Sequence, residues 1–305
     1  MRYLEPELSR PVSKLGLGTW QFGAREWGYG ESYAGREAAR IVRRAVELGI
    51  TLFDTAEAYG LGRSERILGE ALGDDRERVF IATKIFPLLP IAPVVEQRAV
   101  ASAVRLGVRR LDLYQVHQAN PVVRDGTTMR GMRALQAVGL VGEVGVSNYS
   151  LARWQRAEAA LGSPVLSNQV SYSLVDRLPE RDLIPYARAH DRLVIAYSPL
   201  AKGFLSGRYS AEQRPSNLLR RRNRLFRPES FARAEPLLRA VREIAEAHDA
   251  TPAQVALAWT IREPCVVAIA GASSVAQLEA NAAAADLELT AGEIEALDET
   301  SASYA

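Results

Sequence analysis

Short runs of apolar and β-branched residues alternate with longer segments of helical periodicity along almost the whole sequence, and this alternation constrains the fold most. We predict strands near Lys14–Thr19 and at Ile50–Thr55, Val79–Lys84, Leu111–His117, Gly142–Asn148, Val165–Val170, Leu193–Ser198 and Val266–Ala270. We predict helices at Gly35–Leu48, Ser64–Leu72, Pro93–Leu106, Thr127–Val138, Ser150–Leu161, Glu180–His190, Pro236–Ile261 and Ser274–Ala284. Eight strand-then-helix units indicate an α/β fold, a closed (β/α)8 TIM barrel, and we expect residues 1–305 to form a single domain.

The main alternative is an open, doubly wound parallel sheet. Such a sheet needs a glycine-rich phosphate-binding turn after its first strand. The nearest candidate is Gly60-Leu61-Gly62, but Glu65 stands where the third glycine should be. The sequence also contains no Walker-type loop, and the closed barrel is therefore favoured.

One long segment after the seventh strand breaks the rhythm. Between Gly203 and Glu235 the helical period is lost, and the arginines of this segment include Arg208, Arg214, Arg220, Arg221, Arg222, Arg224 and Arg227. A connection of this length in a compact domain is usually functional or disordered. We predict a long loop here.

Charge and cysteine content narrow the possible partners. The 305 residues include 38 basic and 36 acidic side chains, and the resulting net charge of +2 gives no reason to expect nucleic-acid or membrane binding. The first residues show no secretory signal, and no apolar run is long enough to span a bilayer. The single cysteine, Cys265, excludes an internal disulfide and fits a reducing compartment. We expect a cytoplasmic protein that acts on a small molecule. Its oligomeric state is left open.

Lysine is scarce in this chain. Only Lys14, Lys84 and Lys202 are lysines, and arginine supplies the remaining positive charge. An ammonium is compact and its pKa can be tuned, whereas a guanidinium is forked and always charged. Each lysine is therefore a candidate for a position that arginine cannot serve, although chance survival is the alternative.

Chemically versatile side chains follow one another at the predicted strand ends. Strand two ends at Asp54, with Tyr59 five residues further on, strand three ends at Lys84 and strand four at His117. In parallel barrels the catalytic residues project from these carboxyl ends. Each residue alone has an ordinary structural explanation, such as a turn cap or a core histidine. Their arrival at successive strand ends predicts one shared site.

The grouping suits the reduction of a carbonyl group by hydride from a nicotinamide. The alkoxide that forms needs a proton, which a phenol can deliver, and an adjacent ammonium should lower the pKa of that phenol. A carboxylate would hold the ammonium, and an imidazole would polarise the substrate oxygen. We find no nucleophile elbow and no spacing typical of a metal site.

These residues resemble the aldo-keto reductases over nearly the whole chain. The resemblance lies in Gly18-Thr19-Trp20, in Phe53–Gly60 with its continuation to Gly69, in Ala82-Thr83-Lys84, in Tyr114–His117, and in the later segments Gly145–Asn148, Asn168-Gln169 and Tyr197–Leu200. It implies that Asp54, Tyr59, Lys84 and His117 form the catalytic tetrad of an NAD(P)H-dependent reductase.

The resemblance also implies a cofactor site along the same rim. Ser147, Asn148 and Gln169 would hold the nicotinamide carboxamide, and Tyr197 would stack beneath the ring. The full set of implied cofactor contacts is Thr19, Trp20, Asp54, Ser147, Asn148, Gln169, Tyr197, Ser198, Pro199, Leu200, Lys202, Gly203, Arg208, Gly271, Ser273, Gln277 and Asn281.

Two departures from the family pattern concern the ribose phosphate. No Lys or Arg lies between Gly271 and Gln277, where many members carry one, and Ala280 stands where Glu is common. Members that resemble potassium-channel β-subunits take a basic residue from the loop after strand seven instead. Arg208 and the run Arg220–Arg222 are candidates for that role, and a solvated basic surface is the alternative. We expect NADPH as the cofactor, with NADH possible.

The substrate is less well specified. Trp20, Trp27, Tyr29, Phe86 and Asn120 are the predicted pocket residues, and they favour an aldehyde or ketone of modest size. The alternatives are a cofactor-binding regulatory subunit that resembles the potassium-channel β-subunits, and a different barrel enzyme such as an isomerase. The filled tetrad favours a reductase.

Overall fold

The computed structural model describes residues 1–4, 8–23 and 36–305, and its strands close into a barrel. All neighbouring strands are parallel, and β1 pairs with both β2 and β8, which completes the circle. The strands are β1 Leu15–Gly18, β2 Leu52–Asp54, β3 Phe80–Ile85, β4 Leu111–Val116, β5 Val141–Ser147, β6 Ser167–Ser171, β7 Leu193–Tyr197 and β8 Val266–Gly271. The predicted (β/α)8 fold is confirmed.

Helices surround this barrel. In the described part of the chain they are α1 Trp20–Gly23, α2 Ala38–Glu47, α3 Arg63–Leu72, α4 Ala92–Leu106, α5 Asp125–Ala137, α6 Leu151–Leu161, α7 Leu183–Ala189, α8 Leu218–Arg222, α9 Pro228–Ala247, α10 Pro252–Thr260, α11 Val275–Ala283 and α12 Ala291–Thr300. None of the helices in these described ranges is both long and apolar enough to cross a membrane.

The segment after β7 is more helical than predicted. Helix α9 begins at Pro228, eight residues before the predicted start at Pro236, and α8 forms over Leu218–Arg222. The prediction of a loop extending to Glu235 was therefore wrong. Proline suits the first turn of a helix, because its missing N–H has no partner there in any case. Pro228 therefore starts α9, whereas Pro236 lies inside the helix.

One C-terminal helix was not predicted. Helix α12 begins after Thr290, whose hydroxyl accepts from the backbone N–H of Glu293 while the Glu293 carboxylate accepts from the backbone N–H of Thr290. This reciprocal pair is a capping box, and the Thr-x-x-Glu spacing is its signal in the sequence.

The barrel interior is apolar at its amino end. Its buried side chains belong to one cluster, Val12, Leu52, Phe80, Ala82, Leu113, Leu166, Leu193, Ile195, Val267 and Ile269, against which Leu4 and Leu8 pack. Side chains two positions apart on a strand share a face. The next inward positions after Leu52 and Ala82 are therefore Asp54 and Lys84, which lie at the carboxyl end.

Candidate active site

The strand register brings the predicted tetrad together. Asp54 pairs with Ala82 across β2 and β3, so Lys84 extends one inward step beyond that pair. His117 follows the last residue of β4, and its backbone N–H donates to the carbonyl of Ile85 at 3.0 Å. Tyr59 comes from the loop after β2, where its backbone N–H donates to Ala56 at 3.1 Å.

A buried ion pair lies at the centre of the site. Lys84 Nζ donates to Asp54 Oδ1 at 2.5 Å, to the carbonyl of Thr55 at 2.9 Å and to the Tyr59 hydroxyl at 3.4 Å. The Lys84 side chain is 0% exposed. Its burial lowers the pKa of Lys84, but attraction to Asp54 and Tyr59 outweighs burial and leaves that pKa raised. Lys84 is therefore an ammonium at neutral pH, and all three of its hydrogens have acceptors.

The phenol of Tyr59 remains protonated at neutral pH. Burial raises the pKa of Tyr59, the charge of Lys84 lowers it, and the charge of Asp54 raises it again, with a net increase. The expectation of a lowered phenol pKa was thus correct for the effect of Lys84 but wrong for the sum, because desolvation of the phenolate is the larger effect.

His117 is a neutral imidazole. Burial, together with the nearby charge of Lys84, lowers the pKa of His117 to about 4. Its ring meets the Tyr59 ring edge-on at 5.7 Å between centroids and the Phe86 ring at 6.5 Å. His117 Nδ1 is buried and has no hydrogen-bond partner among the described residues. A neutral ring beside the phenol can donate a hydrogen bond to a substrate oxygen.

Amide and hydroxyl groups continue the site around the rim. Gln169 Nε2 donates to Asp54 Oδ2 at 2.7 Å, and the Ser147 hydroxyl donates to the Gln169 carbonyl at 2.8 Å. Asn148 Nδ2 donates to the Ser147 hydroxyl at 3.0 Å, and the Tyr197 hydroxyl donates to Asn148 Oδ1 at 2.9 Å. One continuous chain of hydrogen bonds therefore links the buried carboxylate to the half-buried ring of Tyr197.

The backbone after β7 is folded for close approach of another group. Ser198, Ala201 and Lys202 have left-handed φ angles of 52°, 48° and 60°, and Gly203 has a φ of 98°. Pro199 and Leu200 lie within this segment, the former buried and the latter half-buried. Successive turns of this kind can point backbone N–H groups at an anion. The exposed ammonium of Lys202 adds positive charge at the same place.

Tyr209, in the arginine-rich segment after β7, packs against the backbone at Gly203. The ring of Tyr209 lies 3.4 Å from where a Cβ of Gly203 would be, and Arg220 Nη1 donates to the Tyr209 hydroxyl at 3.4 Å. Arg220 is half-buried, whereas Arg208, Arg221 and Arg222 are exposed. Arg220 is thus fixed close to the segment after β7.

The start of α11 is held by side-chain hydrogen bonds. Ser274 caps the helix by accepting from the Gln277 backbone N–H, and Gln277 Oε1 accepts from the backbone N–H and the hydroxyl of Ser273, both at 2.8 Å. The Asn281 amide donates to the Gly271 carbonyl at 3.4 Å. A helix N-terminus of this kind favours negative charge.

These features fit a nicotinamide dinucleotide. Within the tetrad, His117 Nδ1 has no partner among the described residues, and the Asn148 amide, which donates to the His117 carbonyl at 3.5 Å, is a group that can hydrogen-bond a carboxamide. The backbone after β7 and the start of α11 both suit phosphate groups. The residues present therefore match the cofactor that the sequence implies.

The residues predicted to contact substrate fall into three groups. Trp20 and Phe86 are each 44% exposed and follow the ends of β1 and β3. Thr19, the residue before Trp20, donates its hydroxyl to the Asp54 carbonyl at 2.9 Å. Asn120 uses its amide within the loops, since Nδ2 donates to the Pro87 carbonyl at 2.7 Å and Oδ1 accepts from the backbone N–H groups of Val122 and Val123. Trp27 and Tyr29 lie outside the described residues.

One positioning pair was missed in the sequence. The Glu57 carboxylate accepts from Arg98 Nε at 2.9 Å and from the backbone N–H of Phe86, and Arg98 Nη2 also lies 2.6 Å from it. Glu57 stands between Asp54 and Tyr59 in Phe53–Gly60, the segment that resembles the family, so its place in the sequence indicates that it lies near the site. Its partner Arg98 is on α4, and no sequence pattern indicated the pairing.

Comparison with known proteins identifies the family of this chain. Residues 14–302 match the model of the Aldo/keto reductase family. The chain is 57% identical over 304 residues to an uncharacterized oxidoreductase of Mycobacterium tuberculosis (strain ATCC 25618 / H37Rv), covering 100% of this chain and 94% of that protein. It is 34% identical over 285 residues to methylglyoxal reductase YeaE of Escherichia coli (strain K12), covering 93% and 89%.

A solved structure shows the same architecture. The aldo-keto reductase from Klebsiella pneumoniae in complex with NADPH superposes with a TM-score of 0.78 at 30% identity, covering 95% of this chain and 91% of that one. The chain belongs to the aldo/keto reductase family and is an NAD(P)H-dependent oxidoreductase. The resemblance noted in the sequence is confirmed.

Proposed function

We propose that this protein reduces aldehydes or ketones to alcohols with NADPH, and that Tyr59 is the proton donor. The observation that carries the proposal is the position of Lys84, whose ammonium contacts both the Asp54 carboxylate and the Tyr59 hydroxyl in a buried site. A protonated phenol beside a fixed positive charge is a suitable general acid.

Each tetrad residue has a distinct task in this proposal. The nicotinamide, when bound, supplies the hydride that adds to the carbonyl carbon. Tyr59 gives its proton to the carbonyl oxygen, and Lys84 stabilises the phenolate that remains. Asp54 keeps Lys84 charged and in place. The neutral ring of His117 donates a hydrogen bond to the substrate oxygen and orients it.

The preference for NADPH rests on two observations. The Klebsiella pneumoniae relative was solved with NADPH. In this chain Lys202 and Arg220 both lie near the backbone after β7, and a guanidinium is well shaped to bind a ribose phosphate. NADH would bind through the same nicotinamide contacts but without that phosphate, so it is the weaker cofactor in this proposal.

A carbonyl screen with both cofactors tests the function. Purified protein should lower the absorbance of NADPH at 340 nm in the presence of several aldehydes and ketones, and NADH should support a lower kcat/KM. A protein that binds NADPH but turns over no carbonyl compound would contradict the proposal and favour a regulatory subunit. A protein that binds neither cofactor would reopen the question of a different barrel enzyme.

A further inference from the structure

The loop that follows β3 presents an unusually apolar surface. Residues 86–91 read Phe-Pro-Leu-Leu-Pro-Ile, and this stretch is called the apolar loop below. Phe86 is 44% exposed, Leu88 70% and Leu89 57%. Burying apolar area is favourable by about 25 cal/mol per Å², so adjacent large apolar side chains left in water commonly mark a binding surface.

The backbone of the apolar loop is held in place from several sides. Arg98 Nη1 donates to the carbonyls of Phe86 and Leu88 at 3.0 and 3.4 Å. Asn120 donates to the Pro87 carbonyl at 2.7 Å, and the Thr128 hydroxyl donates to the Pro90 carbonyl at 2.8 Å. Two prolines restrict the backbone further. The backbone that carries the exposed leucines is therefore held in place by hydrogen bonds to neighbouring elements.

The apolar loop is continuous with the candidate active site. Phe86 comes two residues after Lys84, and its ring meets the ring of His117 edge-on at 6.5 Å between centroids. Leu89 is three residues beyond Phe86, so the two lie within about 11 Å of each other. Phe86 therefore connects the apolar loop to the tetrad through its contact with His117.

Polar groups near the apolar loop are already engaged. The loop has no polar side chain of its own, and the neighbouring Asn120 amide donates to the Pro87 carbonyl of the loop and accepts from the backbone N–H of Val122. The Arg98 guanidinium contacts Glu57 and the backbone of the loop. A polar substituent lying on this surface would gain little, whereas an apolar one would be removed from water.

We propose that the apolar loop is a preformed subsite for the apolar tail of the carbonyl substrate, with Leu88 and Leu89 as specificity-determining residues. The inference rests on the proposed reductase function and names its substrate class. The preferred substrates are aldehydes or ketones that carry an extended alkyl or aryl chain, and short polar carbonyl compounds are poor substrates.

A series of straight-chain aldehydes, from three to about ten carbons, tests this subsite. Full burial of one methylene group is worth about 0.8 kcal/mol, or about fourfold in binding. The loop would cover only one face of the alkyl chain, which should give about half of that free energy per methylene. In the wild type kcat/KM should therefore rise about twofold per methylene.

Variants of the two leucines make the test specific. The double variant L88S/L89S should lower kcat/KM for the ten-carbon aldehyde about tenfold or more, and leave that for the three-carbon aldehyde within about twofold. The variant L88M/L89M, which keeps the surface apolar, should keep the chain-length gradient. Val138→Ser removes a residue that is 77% exposed between α5 and β5, at the opposite end of the barrel, and should change neither value.

The outcomes separate this inference from the proposed function. Turnover with the same gradient in the wild type and in L88S/L89S, or with no gradient in either, would overturn the subsite alone. A smaller assembly of L88S/L89S than of the wild type by sedimentation, with the gradient intact, would assign the loop to contact between copies and also overturn the subsite. No turnover of any carbonyl compound would overturn the reductase function, and the subsite with it.

Discussion

Lys84 Nζ lies 2.5 Å from Asp54 Oδ1 and 3.4 Å from the Tyr59 hydroxyl, so the ammonium is closer to the carboxylate than to the phenol. The carboxylate is therefore the main partner of the buried charge in this structure. In the proposed mechanism the phenolate of Tyr59 would become a second negative partner, which Lys84 could stabilise from its present position. The two distances therefore agree with the proposed role of Lys84 beside a Tyr59 proton donor.

Replacing Lys84 by Met should reduce kcat at least 100-fold, because the phenolate would lose its neighbouring positive charge. The variant should also melt at a lower temperature, since an unpaired buried carboxylate is costly. The double variant D54N/K84M removes both charges. It should recover much of the melting temperature while kcat stays low, which separates catalysis from stability. Recovery of kcat in the double variant would remove Lys84 from the proposed role.

Replacing Tyr59 by Phe should lower kcat by about 10²- to 10⁴-fold and leave the Kd for NADPH within about twofold. Only the hydroxyl is removed, and its hydrogen-bond partner is Lys84. Cofactor binding can be followed by quenching of protein fluorescence. As a control, Tyr197→Phe removes a rim hydroxyl that bonds to Asn148 and should affect cofactor binding more than the proton-transfer step. A near-normal kcat in Y59F would rule out Tyr59 as the donor.

The pH profile of carbonyl reduction should be flat through neutrality. The pKa of His117 is lowered to about 4, so the ring stays neutral down to that pH. The pKa of Tyr59 is raised above its ordinary value of 10.0, so the donor keeps its proton to high pH. The rate should therefore fall only above about pH 10, as Tyr59 ionises. A measured alkaline limb near pH 7 would contradict the balance of burial and charge described here.

Arg220 should contribute to the choice between the two cofactors. Its guanidinium is held near the backbone after β7 by Tyr209, whereas Arg221 and Arg222 are exposed. Since a hydrogen bond to a charged group is worth about 1.5–3 kcal/mol, R220A should raise the Kd for NADPH about tenfold or more and leave that for NADH within about twofold. The variants R221A and R222A are matched controls. Equal effects of R220A on both cofactors would mean that Arg220 does not bind the ribose phosphate.

The strand ends could be predicted from sequence because a strand repeats every two residues. Once Leu52 and Ala82 are assigned to the interior, Asp54 and Lys84 must share the same face, and parallel strands bring both to one rim. The end of strand four added His117, the loop after strand two added Tyr59, and the family resemblance then assigned all four to one tetrad. No structure was needed to group these four residues.

The features that were missed depend on distances between segments or on burial. The sign of the pKa shift at Tyr59 required the extent of desolvation, which no motif gives. The direction of the Asn120 amide depends on where the Pro87 carbonyl lies, 33 positions earlier in the sequence. The start of α9 at Pro228 was missed for a different reason, because the helical period was judged to be lost as far as Glu235 and the helix was begun at the second proline, Pro236.

The pair formed by Glu57 and Arg98 should stabilise the site more than an exposed ion pair does. Two guanidinium nitrogens contact the carboxylate, and Glu57 is almost fully buried. Burial raises the pKa of Glu57, although the Phe86 N–H and Arg98 oppose this effect. A double-mutant cycle with E57Q and R98M should give a coupling free energy of about 1–3 kcal/mol from unfolding midpoints.

The exposed pair of Arg78 and Asp75, at 3.0 Å, is the matched control and should give a coupling of at most about 1 kcal/mol. Because the Glu57 pair also fixes Phe86 beside His117, E57Q should lower kcat/KM for carbonyl compounds several-fold, with the Kd for NADPH nearly unchanged. A coupling equal to that of the control pair would show that Glu57 and Arg98 act independently. The loops after β2 and β3 would then be held by their remaining contacts, such as those of Asn120 and Thr128.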